Sequence, residues 1–276
     1  MPKSKLSVFN FRRPDGKKNF GDNISPNLIA RVANCETVWA RNTQADVVAM
    51  GSIIQSFNNR KKSWQTRANR FFKTRQIIWG SGLIQPQESY IGHTVVCALR
   101  GPLTAESLGL ANRKLPYGDP GILFSKYFKA ERKYFDVGVV LHYLHLEKWK
   151  ALLKNYNNIR VISAEDEPET VLTSISQCRR IMSSSLHGLI AADSYNIPNI
   201  GLEFDTPLKG GNFKFADYAL GVERERHVFK IIRNFKDFDD ALESLDTYAT
   251  LPHPDKIRTA ANNLEEALLT RLKQQK

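Results

Sequence analysis

The run from Ile181 to Leu202 constrains the fold of this chain more than any other segment. Ile181 and Met182 lead into Ser183-Ser184-Ser185-Leu186-His187-Gly188, and a run of small residues compatible with a helix follows. A second apolar stretch, Ile200-Gly201-Leu202, comes after the break at Pro198. The pattern reads strand, loop, helix, strand, with the polar residues gathered in the loop. In an open parallel sheet such a loop lies at the carboxyl end of its strand, where ligands bind. The helix that starts there turns unpaired N–H groups and its positive dipole end toward an anion. Three serines and a histidine at this point predict a cradle for phosphate or carboxylate with an acid/base group beside it. The alternatives are a simple helix cap and a structural histidine.

Short apolar runs alternate with helix-like stretches elsewhere, which indicates an α/β fold. In the first half strands are predicted at Leu6–Phe9, Ala45–Met50, Gln76–Trp79, Thr94–Ala98 and Lys114–Tyr117, and helices at Ser25–Ala33 and Pro102–Leu108. The second of these helices opens on Gly101-Pro102, and proline suits a first helical turn. Lys126–Asp136 is charged and without period, as a crossover between domains would be. Beyond it come a strand at Val137–Leu141, a helix from Glu147 to Tyr156 and a strand at Ile159–Ile162. An acidic stretch, Ala164–Glu169, then enters a helix that runs to Ser176. Asp237–Ala249 and Pro254–Gln275 read as amphipathic helices. Two halves that each open on a strand predict twin Rossmann-like domains, 1–128 and 129–276, facing a cleft. The last helix is expected to pack back across the hinge.

Composition enters through what it excludes. A chain of 276 residues, 42% of them hydrophobic, can build a core without metals or disulfides. Cys35, Cys97 and Cys178 are too far apart for a disulfide framework or a zinc site, and they point to a reducing, cytoplasmic setting. No closely spaced set of histidine, cysteine and carboxylate suggests a metal, and no apolar run reaches the roughly 20 residues of a spanning helix. The segment Met1–Phe9 does not read as a secretory signal. The formal charge of +12 is concentrated in Arg12–Lys18, Arg60–Lys62 and Arg67–Arg75. No helix-turn-helix, zinc-finger or RNP-like pattern accompanies it, which argues against nucleic acid. The stretch from Arg60 to Lys73 mixes cations with Trp64, Phe71 and Phe72. It predicts peripheral contact with an anionic membrane, such as the cytoplasmic face of the inner membrane; attraction of an anionic substrate and a merely solvated face are the other readings.

Several segments, in order, resemble the polysaccharide pyruvyl transferase family, in particular its succinoglycan-biosynthesis-like bacterial branch. They are Asn19-Phe20-Gly21-Asp22-Asn23-Ile24-Ser25-Pro26, Gly51-Ser52-Ile53, Trp79-Gly80-Ser81-Gly82, Leu99-Arg100-Gly101-Pro102-Leu103-Thr104 and Gly118-Asp119-Pro120-Gly121-Ile122-Leu123. His142-Tyr143, the Ser183–Gly201 run and Lys214-Phe215-Ala216-Asp217-Tyr218 complete the set. The resemblance implies two Rossmann-like domains arranged as in a GT-B glycosyltransferase. It also implies transfer of pyruvate from phosphoenolpyruvate, a co-substrate rather than a cofactor, to two hydroxyls of a sugar as a cyclic ketal. The acceptor would be a glycan or lipid-linked oligosaccharide. Many members carry an arginine two residues before the motif histidine; Ser185 stands there in this chain.

Ketal formation needs a proton for the methylene carbon of the donor, so His187 is the expected acid/base group. The donor's carboxylate and phosphate need cations or aimed N–H groups. Ser183, Ser184, Ser185 and Gly188 are expected to hold phosphate, with Lys214 or Lys209 neutralising donor charge. Arg100, after a strand, is expected either to reach the donor or to form a hinge salt bridge. His142 is expected to line the donor site or to serve structure, and His145 reads as an ordinary surface residue. Asn19, Asp22 and Asn23 form a turn that could bind the acceptor sugar or cap the Ser25 helix. Asp119 reads as structural, since aspartate before proline fixes a turn. Two other functions compete: a GT-B glycosyltransferase using a nucleotide sugar, and a non-catalytic basic binding module.

Overall fold

The alternation of strands and helices resolves into two parallel sheets. The computed structural model describes residues 5–42, 44–57, 76–88, 91, 94–154, 156–225 and 228–275. The first sheet contains β1 (Lys5–Phe9), β2 (Glu36–Trp39), β3 (Val47–Val48), β4 (Ile77–Ser81) and β5 (Val95–Leu99), in the order β2-β1-β3-β4-β5. The second contains β6 (Phe135–Leu141), β7 (Ile159–Ser163), β8 (Cys178–Ser183), β9 (Asn199–Phe204) and β10 (Phe229–Ile232), in the order β10-β9-β8-β6-β7. The inner strands are buried throughout or nearly so, which is why Ile77-Ile78-Trp79 and Val137–Leu141 read as continuous apolar runs rather than alternating ones.

Most elements fall where the sequence puts them, and the exceptions have local causes. The Ser25–Ala33 helix matches its expected bounds and ends on Asn34 in the left-handed region. The helix expected from Glu147 starts earlier, at Tyr143, because the His142 side chain caps it by accepting the Leu144 N–H at 3.4 Å. The strand expected at Lys114–Tyr117 is reduced to a single bridge between Leu99 and Tyr117. Pro116, without an N–H, cannot continue a ladder there. Edge strands β2 and β10 carry too mixed a pattern to be read in advance.

The final helix, Pro254–Gln274, packs on the first sheet. Leu264 and Leu268 are fully buried, and the Trp79 indole N–H donates to the Leu264 carbonyl at 2.7 Å. The two halves share one apolar core: Phe20, Ile24 and Leu28 of the first half belong to the same cluster as Leu189 and Ile190 of the second. Part of the positive charge is paired across this junction. Arg13 bonds Glu165 at 2.6 Å, Lys17 reaches the same carboxylate at 3.4 Å, and Lys18 pairs with Glu167. The acidic stretch before the Pro168–Ser176 helix is thus the partner of the basic run Arg12–Lys18. The basic segment Arg60–Lys73 lies outside the described residues. No helix among the described residues is long and apolar enough to cross a membrane.

Candidate active site

Loops that follow β1, β3, β4, β6, β8 and β9 converge on one cleft of about 460 Å³. Its wall includes Phe9, Asn19, Asp22, Gly51, Ser52 and Gln85 from the first half. From the second it takes His142, Tyr143, Ser185, His187, Lys209 and Lys214. Carboxyl ends of strands from both sheets therefore face the same space, the usual ligand position in open α/β sheets.

His187 is the second residue of the Leu186–Ser194 helix, and its side chain is 11% exposed. Its Nε2 lies 3.5 Å from Oδ2 of Asp119, a fully buried residue of the first half. Its Nδ1 lies against Gly21: a Cβ at that glycine would sit 1.8 Å from the nitrogen, so only glycine leaves room for the ring. Asp22, also buried, accepts from the Asn19 amide at 2.6 Å. Burial pushes its carboxyl above the ordinary range, against the pull of His187 and Lys214. Asn23 does not line the cleft; its side-chain oxygen accepts the Asn19 N–H at 2.7 Å and braces the turn.

The serine loop divides its labour. Ser183 Oγ lies 2.9 Å from the Ser185 carbonyl and accepts the Ser185 N–H at 3.0 Å, while Ser184 Oγ accepts the His142 N–H at 3.0 Å. Both hydroxyls are buried and shape the loop. Ser185 alone of the three lines the cleft, at the helix N-cap. Gly188 faces the sheet, where a Cβ would meet Ser183 Oγ at 2.4 Å. His145, expected on the surface, is buried: its ring nitrogens lie 3.1 Å from Ser184 Oγ and 2.9 Å from the Thr206 carbonyl. The nonlocal partners that bury it leave no trace in the local sequence.

Arg100 lies behind the cleft wall rather than in it. Its side chain is 0% exposed and donates to Asp217 at 2.9 Å, to Ser52 Oγ at 2.7 Å and to the Leu83 carbonyl at 2.5 Å. Asp217 in turn accepts from the Thr104 hydroxyl at 2.6 Å and the Thr104 N–H at 2.9 Å. The pair is a buried salt bridge between the first half and the second, and among the described residues it meets the cleft wall through Ser52. Lys214 and Lys209 line the cleft itself. Burial, with the nearby charge of Arg100, pushes the Lys214 ammonium down to about 8, and Asp22 opposes the shift. Burial, Lys214, His145 and Arg13 push His142 down to about 3, so it stands in the cleft as a neutral hydrogen-bonding group. Tyr143, which sits under the Arg13 guanidinium at 3.9 Å, falls in the His142-Tyr143 motif without an assigned role, and sequence reasoning missed the glutamines Gln55 and Gln85, which nothing in their local pattern marks.

The geometry is that of an α/β protein in which a histidine, the buried carboxylate of Asp22 and two lysines line one cleft between parallel sheets, with a second buried carboxylate, Asp119, behind the histidine. The chain belongs to the polysaccharide pyruvyl transferase family, whose profile matches residues 2–206. Lys209, Lys214 and Asp217 lie just beyond that match. The chain is 29% identical over 252 residues to uncharacterized protein L143 of Acanthamoeba polyphaga mimivirus, covering 86% of this chain and 79% of that one. It is 28% identical over 165 residues to the succinoglycan biosynthesis protein ExoV of Rhizobium meliloti (strain 1021), covering 56% of this chain and 51% of ExoV. The second match thus spans about half the length of ExoV. Family membership implies a transferase with a role in pyruvyl transfer.

Proposed function

We propose that the chain moves pyruvate from phosphoenolpyruvate onto two hydroxyls of one sugar in a bacterial surface polysaccharide or its lipid-linked precursor. In this reading the two sheets are Rossmann-like domains in a GT-B-like arrangement. Residues 1–128 form the acceptor side and 129–276 the donor side. The observation that carries the reading is the opposition, across one cleft, of His187 and two lysines from the second half to the Asn19–Asp22 turn of the first.

The chemistry follows from those positions. His187 delivers a proton to the donor's methylene carbon, which makes the adjacent carbon oxocarbenium-like. A sugar hydroxyl attacks that carbon, the bond between the carbon and the bridging phosphate oxygen breaks, and the second hydroxyl closes the ring. One hydroxyl proton ends on the new methyl group and the other on the released phosphate. Lys214 and Lys209 neutralise the donor's carboxylate and phosphate. Ser185 and the unpaired N–H groups at the start of the Leu186–Ser194 helix add hydrogen bonds to the same anion. Asn19 and Asp22 accept and orient the acceptor hydroxyls.

The decisive experiment incubates the protein with phosphoenolpyruvate and candidate oligosaccharides and reads ketal-linked pyruvate by mass spectrometry. Binding of a nucleotide sugar, with no binding of phosphoenolpyruvate even when acceptor is present, would replace this reading with glycosyl transfer. A pH dependence follows from Lys214. Its cation is present below about 8 and lost above it, while the donor stays fully ionised. The KM for phosphoenolpyruvate should therefore climb as the pH passes 8, and Lys214→Arg should flatten that climb. Lys214→Ala should weaken donor binding by about 1.5–3 kcal/mol at neutral pH, the scale of one charged hydrogen bond. A pH-independent KM in the unaltered protein would remove Lys214 from the donor site.

A further inference from the structure

Two buried polar atoms of the site have no hydrogen-bond partner among the described residues, and they face one another: Nε2 of His187 and Oδ2 of Asp119, 3.5 Å apart. Buried polar groups are nearly always paired, so each of these atoms requires an explanation. The other oxygen of Asp119 is fixed. Oδ1 accepts the Gly121 N–H at 2.9 Å and caps the turn Pro120–Leu123. The carboxylate cannot rotate without losing that bond, so Oδ2 stays aimed at the imidazole. A carboxylate oxygen can only accept, so the nitrogen opposite must carry a proton. Asp22 is the other carboxylate beside the ring, but its Oδ2 is bonded to Asn19 and its Oδ1 lies toward Gly51. Lys214 is coupled electrostatically to Asp22.

We infer that Asp119 is a positioning residue that holds His187 in the Nε2–H tautomer and leaves Nδ1, on the Gly21 side, to exchange protons with the reactants. The 3.5 Å contact shortens when the ring takes up its second proton, because charge-assisted hydrogen bonds are the shorter ones. Asp119 belongs to the first half and His187 to the second. The working tautomer therefore depends on contact between the two halves. The inference deepens the pyruvyl-transfer reading, on which its kinetic part rests; its structural part does not.

The isosteric variant makes a sharp expectation. In Asp119→Asn the Gly121 N–H still needs an acceptor, so the amide oxygen takes the place of Oδ1. The NH2 group then takes the place of Oδ2 and points a donor at Nε2. The imidazole must answer with a lone pair, and its proton moves to Nδ1. We expect kcat to fall by about 100-fold or more, the scale of a lost acid/base function. The KM for phosphoenolpyruvate and the melting temperature should stay close to those of the unaltered protein.

Two-bond proton–nitrogen correlation spectra of the 15N-histidine protein test this directly, at alkaline pH where imidazoles are neutral. The His187 signals are assigned by their loss in His187→Ala. The unaltered protein should carry the proton on Nε2 and Asp119→Asn on Nδ1. A proton on Nδ1 in the unaltered protein overturns the assignment without any variant, and an unchanged tautomer in Asp119→Asn overturns it as well. The double variant His187→Ala/Asp119→Asn should be no slower than His187→Ala alone, since residues acting through one another are not additive. A further loss in the double variant would mean that Asp119 acts by another route. A tautomer switch in a protein that does not turn over phosphoenolpyruvate would support the inference and sink the pyruvyl-transfer reading.

Discussion

His187→Ala is expected to lower turnover by about 100-fold or more while leaving the protein folded. In the proposed mechanism His187 alone is given the proton. His142, pushed down to about 3, is neutral at working pH and a poor acid by the time a proton is needed. Asp119 is fully buried, with one oxygen committed to Gly121. Lys214 lines the same cleft and keeps its proton below about 8; in the proposed mechanism it serves the donor's charge. The Leu186–Ser194 helix rests on Leu189, Ile190 and Ala191, all fully buried, rather than on the imidazole. Stability should accordingly change by no more than about 1 kcal/mol. Phosphate release in the presence of both substrates, read beside a thermal melt, separates the two effects. Near-normal release from a well-folded variant would take His187 out of the proton path.

Asp217→Ala should have the largest effect on stability of any single substitution in the site, about 3–5 kcal/mol, the range for removing one partner of a buried ion pair. It strands the Arg100 guanidinium in a fully buried position and removes the acceptor for both the hydroxyl and the N–H of Thr104. A urea titration of the variant gives the value directly. Replacing both charges, as in Arg100→Met with Asp217→Leu, should recover part of the loss, because it leaves no uncompensated charge behind. A change of less than about 1 kcal/mol in Asp217→Ala would mean that the pair holds nothing together. A donor-binding defect in an Arg100 variant is expected to travel with this instability, since Ser52 is what separates the guanidinium from the cleft.

The sequence made the layers of the fold legible and left the meetings between distant residues hidden. Ser25–Ala33 was readable because Pro26 and an amphipathic stripe mark a helix locally, and β4 and β6 because apolar runs between turn residues mark buried strands. Edge strands β2 and β10 have mixed burial, and no periodicity announces a half-exposed strand of four residues. The same division runs through the site. His187 could be singled out from its loop alone. The role of Asp119 could not, because a Gly-Asp-Pro turn looks structural until a histidine from the other half is found beside it. Arg100 and Asp217 sat in two separate motifs, and neither segment carries a sign that the other is its partner. The three serines advertised an anion cradle, yet two of the hydroxyls are taken up by the protein itself, Ser183 by Val140 and Ser185 and Ser184 by His142 and His145, an outcome decided by β6 and the loop after it rather than by the serines.

The packing of the Pro254–Gln274 helix on the first sheet has a consequence for the order in which the protein can be made. Trp79, Ile122 and Leu123 emerge in synthesis before every strand of the second sheet, but Leu264 and Leu268, which belong to the same apolar cluster, emerge after all of them. The second sheet has its strands and their connecting helices close together in the chain, so it can assemble as a unit while the first waits. Until the last helix arrives, the Trp79 indole lacks its acceptor and the first half shows an apolar face. The half made first is thus the half finished last, and a chain stopped before Pro254 should behave as a folded second half tethered to an incomplete, aggregation-prone first one.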